Sequence, residues 1–361
     1  MAVNNIFTEN NDYLMSFLYE SWMNNTQNST FTLDPDTIPC NYTVNNEAAG
    51  ILLCVVYILI FFLAILGNII VIVVISHNRQ SMSSTDTYLL HLSIADMLFA
   101  TTLPFWVTNT LKEWVFGDFL CKAISMVQEV NFYSSILFLA CISVDRYRAI
   151  VKAHKHRHPI FTRLSCVVIW GFGIFFSLPV LFRSAFKAVY NGKLVCYEDY
   201  NDKTHLQWRM ITWLLRHIIG FLLPLSVMLF CYGATIRRIF QSKNFEKKKA
   251  MKVIIAVVLV FLVCWLPYNV VISIDTLLRC RVMEETCQLR NRILTALSVT
   301  HSLALLHSCI NPILYAFIGV KFRYNVLKIL MKQGILNKSF VRKYARSFSV
   351  SSDSTMSSTT L

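Results

Sequence analysis

Apolar residues fall along this chain in seven long runs, at 48–75, 87–107, 117–151, 164–182, 210–236, 253–274 and 293–318, separated by polar or charged stretches. Each run is close to or above the roughly 20 residues a helix needs to cross the about 30 Å hydrocarbon core of a bilayer. A lone strand in lipid would leave its amides unsatisfied, so the pattern predicts seven membrane-spanning helices. The first, fourth and sixth runs contain no Asp, Glu, Lys or Arg. The third is the longest, 35 residues from Gly117 to Val151, and at 1.5 Å per residue it would reach about 50 Å, so it must tilt or project past both faces. Five of the eight prolines, Pro104, Pro179, Pro224, Pro267 and Pro312, lie inside spans two, four, five, six and seven. A kinked bundle is expected, because membrane helices accept proline where neighbours satisfy the freed carbonyls.

Beyond the seventh span, Phe322, Val326, Ile329 and Leu330 recur at helical spacing between Lys321, Arg323, Lys328 and Lys332. That pattern predicts a short amphipathic helix lying on membrane lipid. The expected organisation is therefore an acidic tail (1–47), a helical bundle (48–318), an amphipathic surface helix (319–333) and a Ser/Thr-rich tail (334–361).

The composition, 55% hydrophobic against 15% charged, excludes an ordinary soluble domain. A net charge of +14 would be compatible with nucleic acid, but the basic residues lie in short runs between apolar segments. They are read as topology signals, and no nucleic-acid partner is expected. Six Lys/Arg follow the third span between Arg146 and Arg163, seven lie between Arg237 and Lys252, and eight between Lys321 and Arg346. Residues 1–47 contain none, and carry Glu9, Asp12, Glu20, Asp34, Asp36 and Glu47. The positive-inside rule then places the N-terminus outside the cell and the C-terminus in the cytoplasm. The tail has neither a basic nor an apolar leader, so the first span is expected to direct insertion itself. With the tail outside, Asn24, Asn28 and Asn41 are usable glycosylation acceptors.

Of eleven cysteines, Cys40, Cys121, Cys196, Cys280 and Cys287 lie outside the apolar spans or at their ends. Two bridges are expected, Cys121–Cys196 and Cys40–Cys287, with Cys280 left over, although the sequence also allows Cys280 to be bonded and Cys287 free. Asp96 lies mid-span, where an ionisable group is expensive and marks function by default. With Asn131, Ser135 and Ser308 on other spans, and with Asn68 and Asn311, it is expected to form a hydrated pocket for a cation such as sodium; the plainer alternative is a protonated acid tying helices together. Arg146, taken alone, reads as a positive-inside anchor.

These residues in combination carry a resemblance. Gly67-Asn68, Leu92-Ser93-Ile94-Ala95-Asp96, Asp145-Arg146-Tyr147, Trp170, Pro224 with Tyr232, Cys264-Trp265-Leu266-Pro267 and Asn311-Pro312-Ile313-Leu314-Tyr315 follow one another, one set per span. They resemble the marks of the rhodopsin-class G-protein-coupled receptors. Thr102-Leu103-Pro104, Cys141-Ile142-Ser143-Val144-Asp145-Arg146-Tyr147 and Ser308-Cys309-Ile310-Asn311-Pro312 are similar to the chemokine receptors. Glu129-Val130-Asn131-Phe132-Tyr133-Ser134, Cys196-Tyr197-Glu198-Asp199, Trp208-Arg209-Met210 and the closing Ser358-Thr359-Thr360-Leu361 resemble the interleukin-8 receptors, types 1 and 2 of the CXC group, over residues 40–361.

The resemblance implies an all-α, seven-transmembrane plasma-membrane receptor for CXC chemokines bearing a Glu-Leu-Arg motif. It would couple to inhibitory G proteins and drive calcium signalling and neutrophil chemotaxis, without enzymatic activity. The acidic tail, with Tyr13 beside Asp12 and Tyr19 beside Glu20 as sulfation candidates, would meet the basic ligand first, as opposite charge also favours. Trp106, Glu198, Asp199, Arg209, Asp275, Glu285 and Arg290 would receive the ligand, whose N-terminus enters the helical cavity. Activation would pivot at Trp265 above Pro267, collapse the ion site, and rearrange Asp145, Arg146, Tyr147, Tyr232, Asn311, Pro312 and Tyr315 around the Gα C-terminal helix. Ser347, Ser349, Ser351, Ser352, Ser354 and Thr355 would be phosphorylated by receptor kinases and bound by arrestin, and Leu361 would end a PDZ ligand. No cofactor other than sodium is expected.

Three positions depart from the family pattern: His301 stands where glutamate is common, Trp213 where a second extracellular arginine is expected, and Arg148 where an apolar residue usually follows Asp-Arg-Tyr. The competing classes are a chemokine scavenger of the same fold and a membrane transporter. A transporter would show a repeat and matching broken helices, and an enzyme paired intramembrane acids or a metal cluster. The sequence has none of these, and His301 and His307, six apart, do not share a helix face.

Overall fold

The computed structural model describes residues 47–77, 82–152, 159–187, 194–198, 203–240, 245–279, 282–284, 286–318 and 320–334. Seven helical spans long and apolar enough to cross a membrane are found among them. The first span is α1 (Glu47–His77), and the second is split into α2 (Ser84–Ala100) and α3 (Leu103–Leu111). The third is the unbroken α4 (Gly117–Ile150), and the fourth is α5 (Pro159–Ser177) running into a 3₁₀ turn at Leu178–Phe182. An antiparallel hairpin follows, β1 (Arg183–Lys187) paired with β2 (Leu194–Glu198). The fifth span joins α6 (Lys203–His217), a π turn (Ile218–Leu222) and α7 (Leu223–Phe240). The sixth is α8 (Phe245–Arg279), the seventh α9 (Cys287–Leu305) with α10 (His307–Ile318), and α11 (Val320–Lys332) closes the described chain.

The third span is the axis of the bundle: 61% of its most apolar window is buried, against 28% for the first, fourth and fifth spans. The outer spans turn apolar side chains such as Phe62, Leu66, Val167, Phe175, Phe230 and Val263 outward, as a belt facing lipid requires.

The prolines act as their positions predict. Pro104 and Pro179 sit in the first turns of α3 and the 3₁₀ segment, where a missing N–H removes no helical bond. Thr101 and Thr102 turn their hydroxyls back to the carbonyls of Leu98 and Phe99, each at 2.7 Å, closing the break in span two. Pro312 lies inside α10 and cannot bond the carbonyl of Ser308, four residues back. Asn68 donates its Nδ2 to that carbonyl at 2.9 Å. Beside it, a Cβ on Gly67 would lie 2.8 Å from Pro312 Cβ, so the Gly67-Asn68 pair is what lets span one seat against the kink. Pro224 follows the π turn, which Leu223 N closes onto Ile218 O. There span five approaches span three so closely that a Cβ on Gly220 would lie 2.6 Å from Tyr133 Cε1.

On the side to which α4 presents its first residues, Cys121 and Cys196 are bonded, with Cα atoms 5.5 Å apart. The hairpin is further held by Trp114 N on Leu194 O (2.8 Å), Leu194 N on Glu113 Oε2 (2.9 Å) and Ala185 N on Asp118 Oδ1 (3.2 Å). Cys287 is also disulfide-bonded, to a partner outside the described residues. Cys54, Cys141, Cys166, Cys231, Cys264 and Cys309 form no disulfide and are small apolar groups among the helices.

Candidate functional site

Three polar centres lie along the third span, one above another. The deepest in the apolar interior is Asp96, fully buried, which draws spans two, three and seven together. Its carboxylate accepts Asn131 Nδ2 at 3.1 Å and Asn311 Nδ2 at 3.0 Å. His307 Nε2 stands 3.6 Å from the same carboxylate, while its Nδ1 lies 2.6 Å from Ala304 O and so carries the proton. Ser135, one turn from Asn131, is buried with no bond to its Oγ among the described residues. Ser308 turns its hydroxyl to Leu305 O at 2.9 Å. Asn131 and Asn311 are therefore brought to Asp96, and Ser135 and Ser308 lie about one turn from them along the same helices.

His307 is the member that sequence reasoning missed. It packs among Trp265 (5.3 Å between centroids), Phe261 (5.9 Å, edge-on) and Phe99 (6.1 Å). Trp265 in turn lies 4.8 Å from Phe132 on the third span. The carboxylate and the indole above the Pro267 kink are thus linked through one imidazole. The signal was present in the spacing, since His307 and Asn311 are i,i+4 on one helix face.

At the far end of α4, Thr85 joins both members of the Asp145-Arg146 pair. Its hydroxyl donates to Asp145 Oδ2 at 3.1 Å and accepts from Arg146 Nη2. Thr85 is buried, and Arg146 Nε meets no acceptor among the described residues. Tyr147 packs its ring 5.8 Å from Phe230 on span five, and Tyr232 is buried near the same end. Thr85→Ala removes the hydroxyl that holds both groups, and for a receptor of the class the sequence resembles, agonist-independent G-protein activation is expected to rise roughly threefold to tenfold, as for a shift of about 1 kcal/mol in a two-state equilibrium. Nucleotide exchange in membranes without ligand checks this.

Toward the hairpin, Glu129 and Arg216 form an ion pair at 2.7 Å between spans three and five. The Arg216 guanidinium lies 4.4 Å over the Phe132 ring. Asp275 and Arg290 form a second pair at 2.6 Å between spans six and seven, sealed at 1% and 2% exposure. Both were expected to meet ligand, and the fold turns them toward each other. Trp106 is likewise buried against Trp114. Glu198, Arg209 and Tyr315 are placed by backbone alone, on β2, α6 and α10. Asp12, Tyr13, Tyr19, Glu20, Asn24, Asn28, Cys40, Asn41, Asp199, Cys280, Glu285, Ser347, Ser349, Ser351, Ser352, Ser354, Thr355 and Leu361 lie outside the described residues.

Residues 67–315 match the model of the 7 transmembrane receptor (rhodopsin family). The chain belongs to that family. Among curated relatives, it is 48% identical to C-X-C chemokine receptor type 2 of Oryctolagus cuniculus over 356 residues, covering 96% of this chain and 98% of the relative. C-X-C chemokine receptor type 2 of Homo sapiens is 46% identical, over 91% of this chain and 92% of its own. Type 1 of Oryctolagus cuniculus is 48% identical, over 86% and 88%. Within the rhodopsin family, the chain's likeness is therefore to CXC chemokine receptors along nearly its whole length, and it is a multi-pass membrane protein.

Proposed function

We propose that this rhodopsin-family receptor binds CXC chemokines at its extracellular face and activates inhibitory heterotrimeric G proteins at its cytoplasmic face. The observation that carries the reading is the connected layer from Phe132 and Trp265 through His307 to Asp96, with Asp145 and Arg146 at the far end of the same helix. Chemokine identity is supported by the 46–48% identity to receptors of that name. The acidic, Lys/Arg-free tail of residues 1–47 meets the basic ligand, and the runs of Lys and Arg between spans hold the N-terminus outside and the C-terminus inside. Arrestin and receptor kinases act on the Ser/Thr tail, Leu361 offers a PDZ ligand, and α11 lies on inner-leaflet lipid.

Binding and signalling are coupled because agonist and G protein both favour one arrangement of the bundle, so each raises the other's affinity. The Asp96 layer fits a sodium ion. It combines a buried carboxylate with the Ser135 and Asn311 oxygens, which have no bond among the described residues. Asp96, Ser135 and Asn311 would hold the ion, whose charge stabilises the resting packing of spans two, three and seven. Asp96→Asn is expected to abolish the sodium sensitivity of agonist affinity, which in the parent receptor should fall about tenfold between sodium-free and physiological salt. Agonist competition curves in sodium against an organic cation check this; equal curves in the parent receptor would remove the ion site.

The reading itself is tested by binding labelled CXC chemokines, with and without Glu-Leu-Arg, to cells expressing the chain. Saturable binding of motif-bearing ligands that weakens as salt rises is expected. Failure of every CXC chemokine to bind would reject the ligand class.

A further inference from the structure

Span six carries a joint, and one side chain of span five reaches across to it. Pro267 lies inside α8 and leaves the carbonyl of Val263, four residues back, without its helical bond. Trp265 stands within that joint, where its ring meets Phe132 of span three and His307 of span seven. Span five is seated closely on span three: Gly220 has no room for a Cβ against Tyr133, and the π turn begins one residue after His217. His217 therefore sits on a tightly packed support beside a hinge.

The imidazole meets span six at both nitrogens. Its Nδ1 lies 3.2 Å from Asn269 Oδ1, and its Nε2 lies 3.4 Å from Ser273 Oγ. Asn269 is buried and donates its Nδ2 to Trp265 O at 2.9 Å. That bond settles which end of the amide faces span five, namely the oxygen, which can only accept. His217 Nδ1 therefore carries a proton and donates it. The Ser273 hydroxyl has one hydrogen, and it is turned to Asn269 O at 2.7 Å. The Nδ1 bond is thus the effective contact, and it runs from span five through Asn269 to the carbonyl of Trp265.

At 3.2 Å this bond stands at the long end of the range for N–H···O, so a shift of about half an ångström in span six breaks it. It is present while Thr85 holds both Asp145 and Arg146. Breaking it leaves a buried amide oxygen and an imidazole N–H without partners, which favours the arrangement that keeps it.

We propose that His217 is a positioning residue for activation, whose bond to Asn269 clasps span six to span five at the Pro267 joint and holds the bundle closed. Turning Trp265 carries Asn269 with it, because the two are tied through the Trp265 carbonyl, and the clasp opens. The assignment rests on the chain acting as a G-protein-coupled receptor and adds one side-chain bond that sets its resting balance.

The test compares the parent with His217→Phe, which keeps a ring and removes the N–H, with Asn269→Leu, and with the two together. A fourth variant, His217→Gln, retains an amide that donates to Asn269. One readout is ligand-free nucleotide exchange in membranes at equal receptor density. The other is an environment-sensitive fluorophore on the cytoplasmic end of span six, in purified receptor without G protein. Each single loss of the bond should raise exchange roughly threefold to tenfold, the worth of one hydrogen bond in a two-state equilibrium. Both should move the fluorophore signal away from the parent's in one common direction. The double variant should add less than about twofold to the larger single effect, because both changes remove one bond. His217→Gln should stay within about twofold of the parent. Unchanged readouts in both single variants overturn the proposal. Effects that multiply in the double variant, or loss of folded receptor with no rise in exchange, overturn it too, as damage to packing rather than loss of one bond. If no G protein responds to the parent at all, the G-protein reading fails, and the fluorophore alone decides whether the clasp holds span six.

Discussion

Arg146→Ala leaves chemokine binding at the cell surface within about threefold of the parent, while agonist-driven G-protein activation falls by more than about tenfold, the signature of a lost coupling interaction rather than a lost ligand contact. Arg146 lies at the opposite end of the third span from the disulfide, and the contacts it makes are to Thr85 and its surroundings. Its guanidinium retains a donor, Nε, with no acceptor among the described residues, so it can serve an acceptor of the G protein once the helix ends part. Removing it deletes that donor and the bond to Thr85, whose hydroxyl still holds Asp145. Ligand binding without nucleotide exchange in the same membranes is the paired measurement. Full exchange by the alanine variant would remove Arg146 from the coupling machinery.

Cys196→Ser is expected to have the larger effect on the folded receptor itself. The bond to Cys121 closes a loop spanning 75 residues, worth up to about 4.5 kcal/mol in the chain-entropy description. It also pins β2 to the helix that forms the axis of the bundle, and both sulfurs are buried. Loss of most surface receptor and of high-affinity chemokine binding is predicted, read by flow cytometry and saturation binding. Wild-type expression with wild-type affinity would mean that the contacts of Glu113, Trp114 and Asp118 to the hairpin suffice alone.

The seven spans were legible because lipid leaves the sequence few choices: an apolar run of the right length must be a helix. The ends were less so. The sixth apolar run, 253–274, sits inside a longer helix, Phe245–Arg279, whose basic first turns lie beyond the apolar stretch. The breaks at Thr101-Thr102 and Leu306 also escaped the apolar pattern, since hydroxyl-to-carbonyl bonds and a change of turn leave hydrophobicity untouched.

The Asp96 layer was largely readable, because an acid in the middle of a span has to be satisfied by polar residues on its neighbours. The use of His307 was not, although its spacing to Asn311 pointed there. Nothing in the sequence marks Thr85, in the first turn of α2, and only the packing of span two on span three brings it to Asp145. The Glu129–Arg216 pair joins residues 87 apart and depends on the π turn, which has no mark in composition. Asp275 and Arg290 were each expected to receive ligand from the resemblance; that they hold each other follows only from the packing of spans six and seven.

Agonist-dependent inhibition of cAMP in cells expressing the chain, across CXC chemokines with and without the Glu-Leu-Arg motif, tests the central claim most directly. The account predicts inhibition by the motif-bearing ligands, abolished by blocking inhibitory G proteins and by Arg146→Ala. Saturable chemokine binding and uptake with no G-protein response from any ligand would contradict it, and would mark a scavenger built on the same seven helices.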